Sequence, residues 1–234
     1  MPSPLRARLS AVRQYLRASY PRFGSFRGLY PANPAFGLGN GTPVDRYYIE
    51  RFLDGRRDRV RGRVLEVGDR RYTTQFGSGV TTSDVLHVEA GSPDATIVAD
   101  IANCPQIPDG SFDCIVLVQT LHYIYDMEAA VAELHRILAP GGHLLCTVPG
   151  ISQISRYDME RWGDRWRLTS LSAAELFATA FAPEDTEVST YGNVFASICF
   201  LEGIVAEKLR PRELDTHDDD YQLIVAVDAA KPAR

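Results

Sequence analysis

The sequence predicts an α/β fold with a mostly parallel seven-stranded sheet and helices on both faces. Two short apolar runs, residues 63–69 (RVLEVGD) and 84–89 (DVLHVE), each end in a carboxylate and are spaced like one strand-helix-strand unit. Further apolar runs then alternate with helical segments along the chain. A length of 234 residues with 45% hydrophobic residues suffices for one such domain. This layout is Rossmann-like.

The N-terminal part of the chain differs in composition from the rest. Residues 4–19 place leucine and valine at helical spacing between arginines, which predicts a basic amphipathic helix. Such a helix either packs on the domain with a solvated arginine face or meets a membrane surface or an anionic partner. Residues 20–43 are rich in Gly, Pro and Asn and predict a loop. We therefore divide the chain into an N-terminal helix and loop, 1–43, and one domain, 44–234.

The domain is expected to begin with a helix at residues 44–53 and to continue with the two strands above. The later predicted strands are residues 95–100, 112–119, 143–148, 187–191 and 221–227. Three later helices are predicted. The first begins at Asp126 and ends before the stop at residues 140–142, and the second begins at a capping box formed by Ser172 and Glu175. The third covers an apolar segment around residues 195–209.

The connection between the second and third strands is unusually short. Only residues 90–94 separate Glu89 from the third predicted strand, whereas a crossover between parallel strands ordinarily needs a dozen or more residues. We expect a bare loop there, or a third strand that is short and irregular. In parallel sheets ligands bind beyond the carboxyl ends of the strands, so the segments following each strand should share one rim.

The block from residue 107 to 149 resembles the class I S-adenosylmethionine (SAM) dependent methyltransferases of the small-molecule, type 11-like kind. The resemblance rests mainly on residues 107–113 (IPDGSFD) and 138–142 (LAPGG), and it extends over 64–149. It implies SAM as cofactor, and the cofactor-binding positions that follow from it, with the adjoining turn, are Glu66, Gly68, Asp69, Arg70, Glu89, Asp100, Ile101 and Gln119. Glu66 and Gly68 would lie at the methionine end, Glu89 at the ribose, and Asp100 and Ile101 at the adenine. The chain also resembles bacterial members found beside or fused to glycosyltransferases, which implies a possible glycosyltransferase partner.

The glycine motif of that family is incomplete in this chain. Of its three glycines only Gly68 is present, and Arg70 and Tyr72 occupy the other two positions. Because glycine lacks Cβ and tolerates positive φ, these side chains either move SAM outward or offer Arg70 or Arg71 as a partner for its carboxylate. The alternative is that the site no longer binds SAM.

Methyl transfer from a sulfonium is an in-line displacement, and the protein must hold the acceptor near the methyl group. A hydroxyl acceptor benefits from a general base, and His122, just beyond the fourth strand, is the candidate. The alternative is a packing or hydrogen-bonding histidine, and His87, His135 and His143 are interpreted as structural.

Residues 151–167 hold both tryptophans and several arginines directly after the fifth strand. Exposed Trp and Arg typically mark recognition surfaces, whereas the alternative is a lid helix that anchors its tryptophans in the core. The candidate acceptor-binding residues are Tyr123, Arg156, Tyr157, Trp162 and Trp166. They favour O-methylation of a saccharide or of a glycosylated or anionic small molecule.

Composition excludes several other classes of function. A net charge of −5 argues against bulk nucleic-acid binding, no apolar run approaches a membrane span, and the cytoplasm is the expected location. The four cysteines are scattered without a paired motif, and the acidic run at 217–220 predicts a solvated loop, so no metal site is expected. Two rival functions stay open: a non-catalytic accessory module that keeps the fold, and a nicotinamide-dependent oxidoreductase, which the absent G-x-G-x-x-G turn disfavours.

Overall fold

The computed structural model describes residues 24–233, which form one seven-stranded sheet covered by helices. The strands are β1 (Gly62–Val67), β2 (Val80–His87), β3 (Ile97–Val98), β4 (Phe112–Val118), β5 (Leu138–Pro149), β6 (Thr186–Tyr191) and β7 (Ile224–Ala230). They lie in the order β3-β2-β1-β4-β5-β7-β6. β1 to β5 are parallel, and β7 is antiparallel to both neighbours. The predicted α/β fold is confirmed.

The helices cover both faces of this sheet. They are α1 (Val44–Asp54), α2 (Arg71–Phe76), α3 (Met127–Ile137), α4 (Arg156–Arg161), α5 (Ser170–Phe177), α6 (Val194–Leu201) and α7 (Pro211–Asp215). A hydrophobic core lies on each face of the sheet. Successive residues of one strand pack in different cores, because side chains in a strand alternate between the two faces. Leu65 of β1 packs in the core formed with α3 and α5, while Val64 packs in the core formed with α1, α2, α6 and α7.

The connection between β2 and β3 is a loop, and β3 is only two residues long. Both parts of the expectation for this connection are therefore met. Thr96 fastens the loop, because its hydroxyl accepts from the Val85 N–H at 2.9 Å and donates to the Asp84 carboxylate at 3.0 Å. The rim is left without a covering helix between β2 and β3.

The C-terminal third departs from the predicted elements in three ways. Thr169, not Ser172, caps α5, and Ser172 returns the bond from the third helical position. The apolar helix predicted around 195–209 ends at Leu201, and a 3₁₀ turn follows at Ala206–Lys208. The last strand begins at Ile224, three residues later than predicted, and inserts between β5 and β6.

The described part of the N-terminal loop packs on the domain. The Phe36 ring lies 5.7 Å from the Phe200 ring of α6, and a β-bridge joins Pro43 to Val205. Gly37 has φ +89, and a Cβ there would meet the Gly203 carbonyl oxygen at 2.9 Å, so this close approach needs glycine. The loop consequently forms part of the rim above α6. The helix predicted at residues 4–19 lies outside the described residues.

The four cysteines are all buried and none forms a disulfide; Cys104 and Cys146 pack in one core and Cys114 in the other. Across residues 24–233 no helix has the length and apolar character needed to span a bilayer.

Candidate active site

The residues predicted to bind the cofactor all lie on one edge of the sheet, because β1 to β4 are parallel and end there. They belong to four strand ends: Glu66 in β1 with Gly68, Asp69 and Arg70 in the turn after it, Glu89 after β2, Asp100 and Ile101 after β3, and Gln119 after β4. Glu89 is exposed, and Ile101 is buried. The topology brings these positions together, and their roles stay predictions.

Glu66 closes the first turn of α2. Its buried carboxylate accepts hydrogen bonds from the backbone N–H of Tyr72 at 3.0 Å and of Thr73 at 2.7 Å. Burial raises the pKa of Glu66, and the bonds from Thr73 and Tyr72 offset only part of that rise. A helix of six residues needs such a cap because its first N–H groups have no partner within the helix.

Gln119, directly after β4, adopts the left-handed region with φ +47. Residues other than glycine rarely adopt this conformation, and it concentrates where surrounding structure enforces it, often at functional sites. Here the Gln119 N–H donates to the Thr147 carbonyl at 2.9 Å, which ties the end of β4 to β5. The Gln119 side-chain amide donates to the Thr147 hydroxyl at 3.4 Å.

A cavity of about 540 Å³ opens beside the carboxyl ends of β4 and β5. Five of the predicted site residues line it: Gln119, His122, Tyr123, Arg156 and Tyr157. One wall is apolar and combines the N-terminal loop with α6 and β7, through Phe36, Leu38, Phe200 and Ile224. The lining also includes the ionisable side chains of Asp45, Arg46, Asp158, Asp164 and Arg167, which we call the polar wall.

His122 is the buried imidazole of this cavity. It is 4% exposed, its Nε2 lies 3.9 Å from the Asp164 carboxylate, and its Nδ1 has no hydrogen-bond partner among the described residues. Burial lowers the pKa of His122 to about 3, although the nearby Asp164 carboxylate acts in the opposite direction. The imidazole is therefore neutral at physiological pH and can accept a proton or a hydrogen bond.

Asp164 and Arg167 hold the segment behind His122. The Asp164 carboxylate accepts from the Arg167 guanidinium and from the Ser155 N–H at 2.9 Å. Burial raises the pKa of Asp164, yet the hydrogen bonds from Arg167 and Ser155 hold it below its usual range. The backbone carbonyl of His122 in turn accepts from the N–H groups of Arg165 and Trp166.

Tyr123 extends the polar wall. Its hydroxyl donates to the Asp158 carboxylate at 2.9 Å, and burial together with Asp158 raises the pKa of Tyr123. Tyr123 therefore stays protonated and keeps Asp158 oriented. Tyr157 lies exposed at the mouth, with the Arg161 guanidinium 3.5 Å over its ring.

The described residues offer no metal centre at this rim or elsewhere. Nowhere in 24–233 do three or more His, Cys, Asp or Glu side chains come together in a group that could hold an ion. What this part of the chain provides is positioning and hydrogen bonding.

Three findings relate this chain to known proteins. Residues 76–146 match the methyltransferase domain family, which is less than half of the chain. The ubiquinone/menaquinone biosynthesis C-methyltransferase UbiE of Methylobacterium nodulans is 38% identical over 63 residues, 24% of this chain and 25% of that protein. UbiE of Francisella tularensis subsp. novicida is 33% identical over 86 residues, 37% of this chain and 29% of that protein. The matches thus span between a quarter and a third of these relatives' length.

Among solved structures, the [4+2]-cyclase SpnF superposes with a TM-score of 0.52 at 17% identity, covering 95% of this chain and 94% of that one. This agreement shows a shared fold over nearly the whole chain, and the matched methyltransferase domain covers residues 76–146 of it. The resemblance to class I SAM-dependent methyltransferases is confirmed. The fold alone does not determine the reaction, since one fold hosts many chemistries.

The altered glycine positions of the class I fold are accommodated by folding the side chains away from the turn. Gly68 keeps φ +96, and a Cβ there would meet nothing within 4 Å, so the turn presents open space. Tyr72 is buried and stacks on Phe76 with ring centroids 6.3 Å apart. Arg71 pairs with Glu50 of α1 at 3.0 Å. None of these side chains fills the space at the Gly68 Cβ position, and the role of this turn toward SAM stays a prediction.

Both tryptophans of the segment 151–167 are half-buried and neither lines the cavity. The Trp162 ring lies 6.3 Å from His87, which ends β2, and 6.0 Å from Tyr123, which follows β4. Because β1 lies between β2 and β4, this indole crosses the carboxyl end of β1. Trp166 donates its Nε1–H to the Ile124 carbonyl at 3.0 Å. The segment is thus a lid anchored on the rim.

Sequence reasoning missed several cavity residues. Asp45 and Arg46 lie in the first turn of α1, Asp164 and Arg167 in the lid, and Phe36 in the N-terminal loop. The i,i+3 spacing of Asp164 and Arg167 predicts an ion pair only on a helix, and this part of the segment is not helical. Nothing local indicated that α1 reaches this rim, since its contacts with it are long-range.

Proposed function

We propose that this protein is a SAM-dependent methyltransferase that acts on a small-molecule acceptor bound in the cavity at the ends of β4 and β5. The observation that carries the proposal is the position of this cavity in a class I methyltransferase fold. Its lining includes Gln119 directly after β4, the strand next to the point between β1 and β4 where strand order reverses, and ligands of open α/β sheets bind at such points.

SAM would supply an electrophilic methyl group on a positively charged sulfur. The open turn at Gly68 and the carboxylate at Glu89 fit the methionine end and the ribose hydroxyls of such a molecule. The chain's own contribution is to hold the acceptor in line, and well-oriented reactants gain up to about 7 to 11 kcal/mol over free ones.

His122 is the proposed base for a hydroxyl acceptor. Its neutral imidazole lies on the cavity wall and is available as a proton acceptor throughout the physiological pH range. Because its pKa is about 3, the imidazole would take the hydroxyl proton only transiently and pass it on to solvent. The hydrogen bond of Tyr123 to Asp158 and the Asp164–Arg167 pair hold the surrounding wall in place.

We favour a saccharide, or a glycosylated or anionic small molecule, as the acceptor. The support is the polar wall with Arg156 and Tyr157 at its mouth, where an aromatic face and a guanidinium suit sugar rings and anionic groups. A glycosyltransferase that supplies such an acceptor is the proposed partner, and the cytoplasm is the proposed location.

A second candidate is C-methylation of an aromatic acceptor. The wall formed by Phe36, Phe200 and Ile224 favours an apolar ring, and the UbiE relatives are C-methyltransferases. Incubation with methyl-labelled SAM and matched sets of saccharides and hydroquinones separates the two candidates, because the product is either a methyl ether or a ring-methylated compound.

Calorimetric titration tests the general proposal. We expect SAM and S-adenosylhomocysteine each to bind the folded protein at one site. A folded protein that shows no heat at millimolar SAM would favour the non-catalytic accessory module.

A further inference from the structure

The arginines that replace or follow the motif glycines are used within the protein. The Arg71 guanidinium pairs with the Glu50 carboxylate at 3.0 Å. The Arg70 Nη2 donates to the Asp94 carbonyl at 3.2 Å, in the loop between β2 and β3. Neither side chain lines the cavity. An anionic group bound in the cavity therefore needs a cation other than Arg70 or Arg71 as its partner.

Three arginines line the cavity, and they differ in how they are held. Arg167 is engaged twice by the Asp164 carboxylate and also by backbone carbonyls. Arg156 is exposed on the first residue of α4. Arg46, in the first turn of α1, has a side chain 31% exposed and is therefore the partly buried cavity cation without a saturating carboxylate.

Among the described residues, the Arg46 guanidinium has one hydrogen-bond partner and one carboxylate at the limit of an ion pair. Its Nη1 donates to the Tyr72 hydroxyl at 2.8 Å, and its Nη2 has no hydrogen-bond partner among the described residues. The nearest carboxylate, that of Asp45, lies 4.0 Å from Nε and accepts instead from the Arg46 backbone N–H at 2.8 Å. The outer side of the guanidinium therefore remains able to bind an anion.

Tyr72 connects Arg46 to the beginning of α2, the helix that follows β1. It stands at the third glycine position, its backbone N–H donates to Glu66, and its ring is 5% exposed in the core. Its hydroxyl links the first turn of α2 to the first turn of α1, 26 residues earlier. The residue that departs from the glycine motif thus holds a guanidinium that lines the cavity.

We propose that Arg46, positioned by Tyr72, binds the carboxylate of SAM. This inference rests on the proposed function and assigns the anion partner that the altered glycine turn calls for. A guanidinium held in a fixed orientation forms charge-assisted, often paired hydrogen bonds with a carboxylate. It replaces the proposed roles of Arg70 and Arg71 toward that group.

The test compares one ligand that has the amino-acid end, with its ammonium and carboxylate, and one that has a methyl group in its place. S-adenosylhomocysteine carries the amino-acid carboxylate, whereas 5′-methylthioadenosine keeps the nucleoside and the thioether without it. In calorimetric titrations Arg46→Ala should weaken S-adenosylhomocysteine about 10- to 100-fold, the range for a lost charge-assisted hydrogen bond. Its affinity for 5′-methylthioadenosine should stay within about twofold of the wild-type value.

Three further variants separate recognition from structural effects. Arg46→Lys keeps the charge without the fork and should give an intermediate loss for S-adenosylhomocysteine alone. Tyr72→Phe removes only the positioning hydroxyl and should weaken that ligand about 2- to 10-fold, again without affecting 5′-methylthioadenosine. Arg51→Ala, on the same helix and paired with Asp215, is the matched control and should change neither affinity.

Equal weakening of both ligands by Arg46→Ala, or of neither, would overturn the assignment. If Arg46→Ala bound both ligands with wild-type affinity but had a higher KM for the acceptor, Arg46 would serve the acceptor. That result would also overturn the assignment. If Arg46→Ala does not fold, Arg46→Lys decides by the same comparison. A wild-type protein that binds neither ligand removes the proposed function itself, and this inference with it.

Discussion

At the scale of single residues, His122 is a neutral imidazole enclosed in the cavity wall. Its turnover role is testable with His122→Ala, which should lower kcat about 10²- to 10⁴-fold if the residue acts as a base. SAM affinity should change little, because a base acts on the acceptor proton. Steady-state rates with a methylated product as readout, beside calorimetry with SAM, measure both quantities. If the His122→Ala variant turned over at the wild-type rate between pH 6 and 9, positioning alone would account for the reaction.

The depressed pKa of His122 also predicts how stability depends on pH. The folded pKa of about 3 lies below the ordinary value of 6.5, so the unfolded chain binds the proton first as pH falls. Stability is therefore fully present above about pH 6.5 and decreases from there toward pH 3. Lowering the pH from 7 to 5 should therefore reduce the free energy of unfolding by about 2 kcal/mol through protonation of this group in the unfolded chain.

His122→Phe removes that titration and keeps an aromatic ring of similar size. Its loss of unfolding free energy between pH 7 and pH 5 should be smaller than that of the wild type by about 2 kcal/mol. Urea unfolding at both pH values measures the difference. Parallel pH dependence in the two proteins would mean that His122 titrates normally in the fold.

At the scale of elements, the six-residue helix α2 depends on the buried Glu66 carboxylate. Glu66→Gln keeps one accepting oxygen and turns an amide N–H₂ toward the backbone donors of Tyr72 and Thr73. We expect a loss of about 1 to 3 kcal/mol in unfolding free energy, measured by urea denaturation. Glu50→Gln breaks the more exposed pair with Arg71 and should cost at most about 1 kcal/mol. Equal effects of the two substitutions would contradict the capping role.

The lid, residues 151–167, is held by the ion pair of Asp164 and Arg167. Asp164→Asn leaves the guanidinium without its carboxylate, which should destabilise the lid by about 3 kcal/mol, the lower end of the range for a broken buried pair. Trypsin should then cleave within 151–167 faster than in the wild type, and KM for the acceptor should rise. Glu160→Gln, at an exposed position of α4, is the control and should leave both unchanged. Unaltered cleavage of Asp164→Asn would show that other contacts hold the lid.

At the scale of the whole molecule, binding of SAM should stabilise the domain. A ligand at 100 times its Kd adds about 2.7 kcal/mol of unfolding free energy. For a domain of this size that is a rise in Tm of roughly 5 to 11 °C. Thermal unfolding with S-adenosylhomocysteine at that excess checks it, and NAD should give no shift. A shift with NAD alone would support the oxidoreductase alternative.

The sequence alone determined the parallel half of the fold. The runs that became β1, β2 and β4 are dense in valine, leucine and isoleucine, and such a pattern is local. The bare connection between β2 and β3 followed from counting residues after Glu89. The rim, and hence the neighbourhood of Gly68 and Gln119, followed from parallel strands ending at one edge.

Only the tertiary structure decided features that depend on contacts between distant segments. Residues 169–172 (TSLS) offer several equivalent caps, and α5 begins at Ser170, whose N–H donates to the Gln222 side chain. The antiparallel insertion of β7 is likewise set by its partners β5 and β6. The contact of Arg46 with Tyr72 and the enclosure of His122 by the lid have no local signature. Periodicity reports which face of an element is buried, but long-range packing decides which buried groups meet.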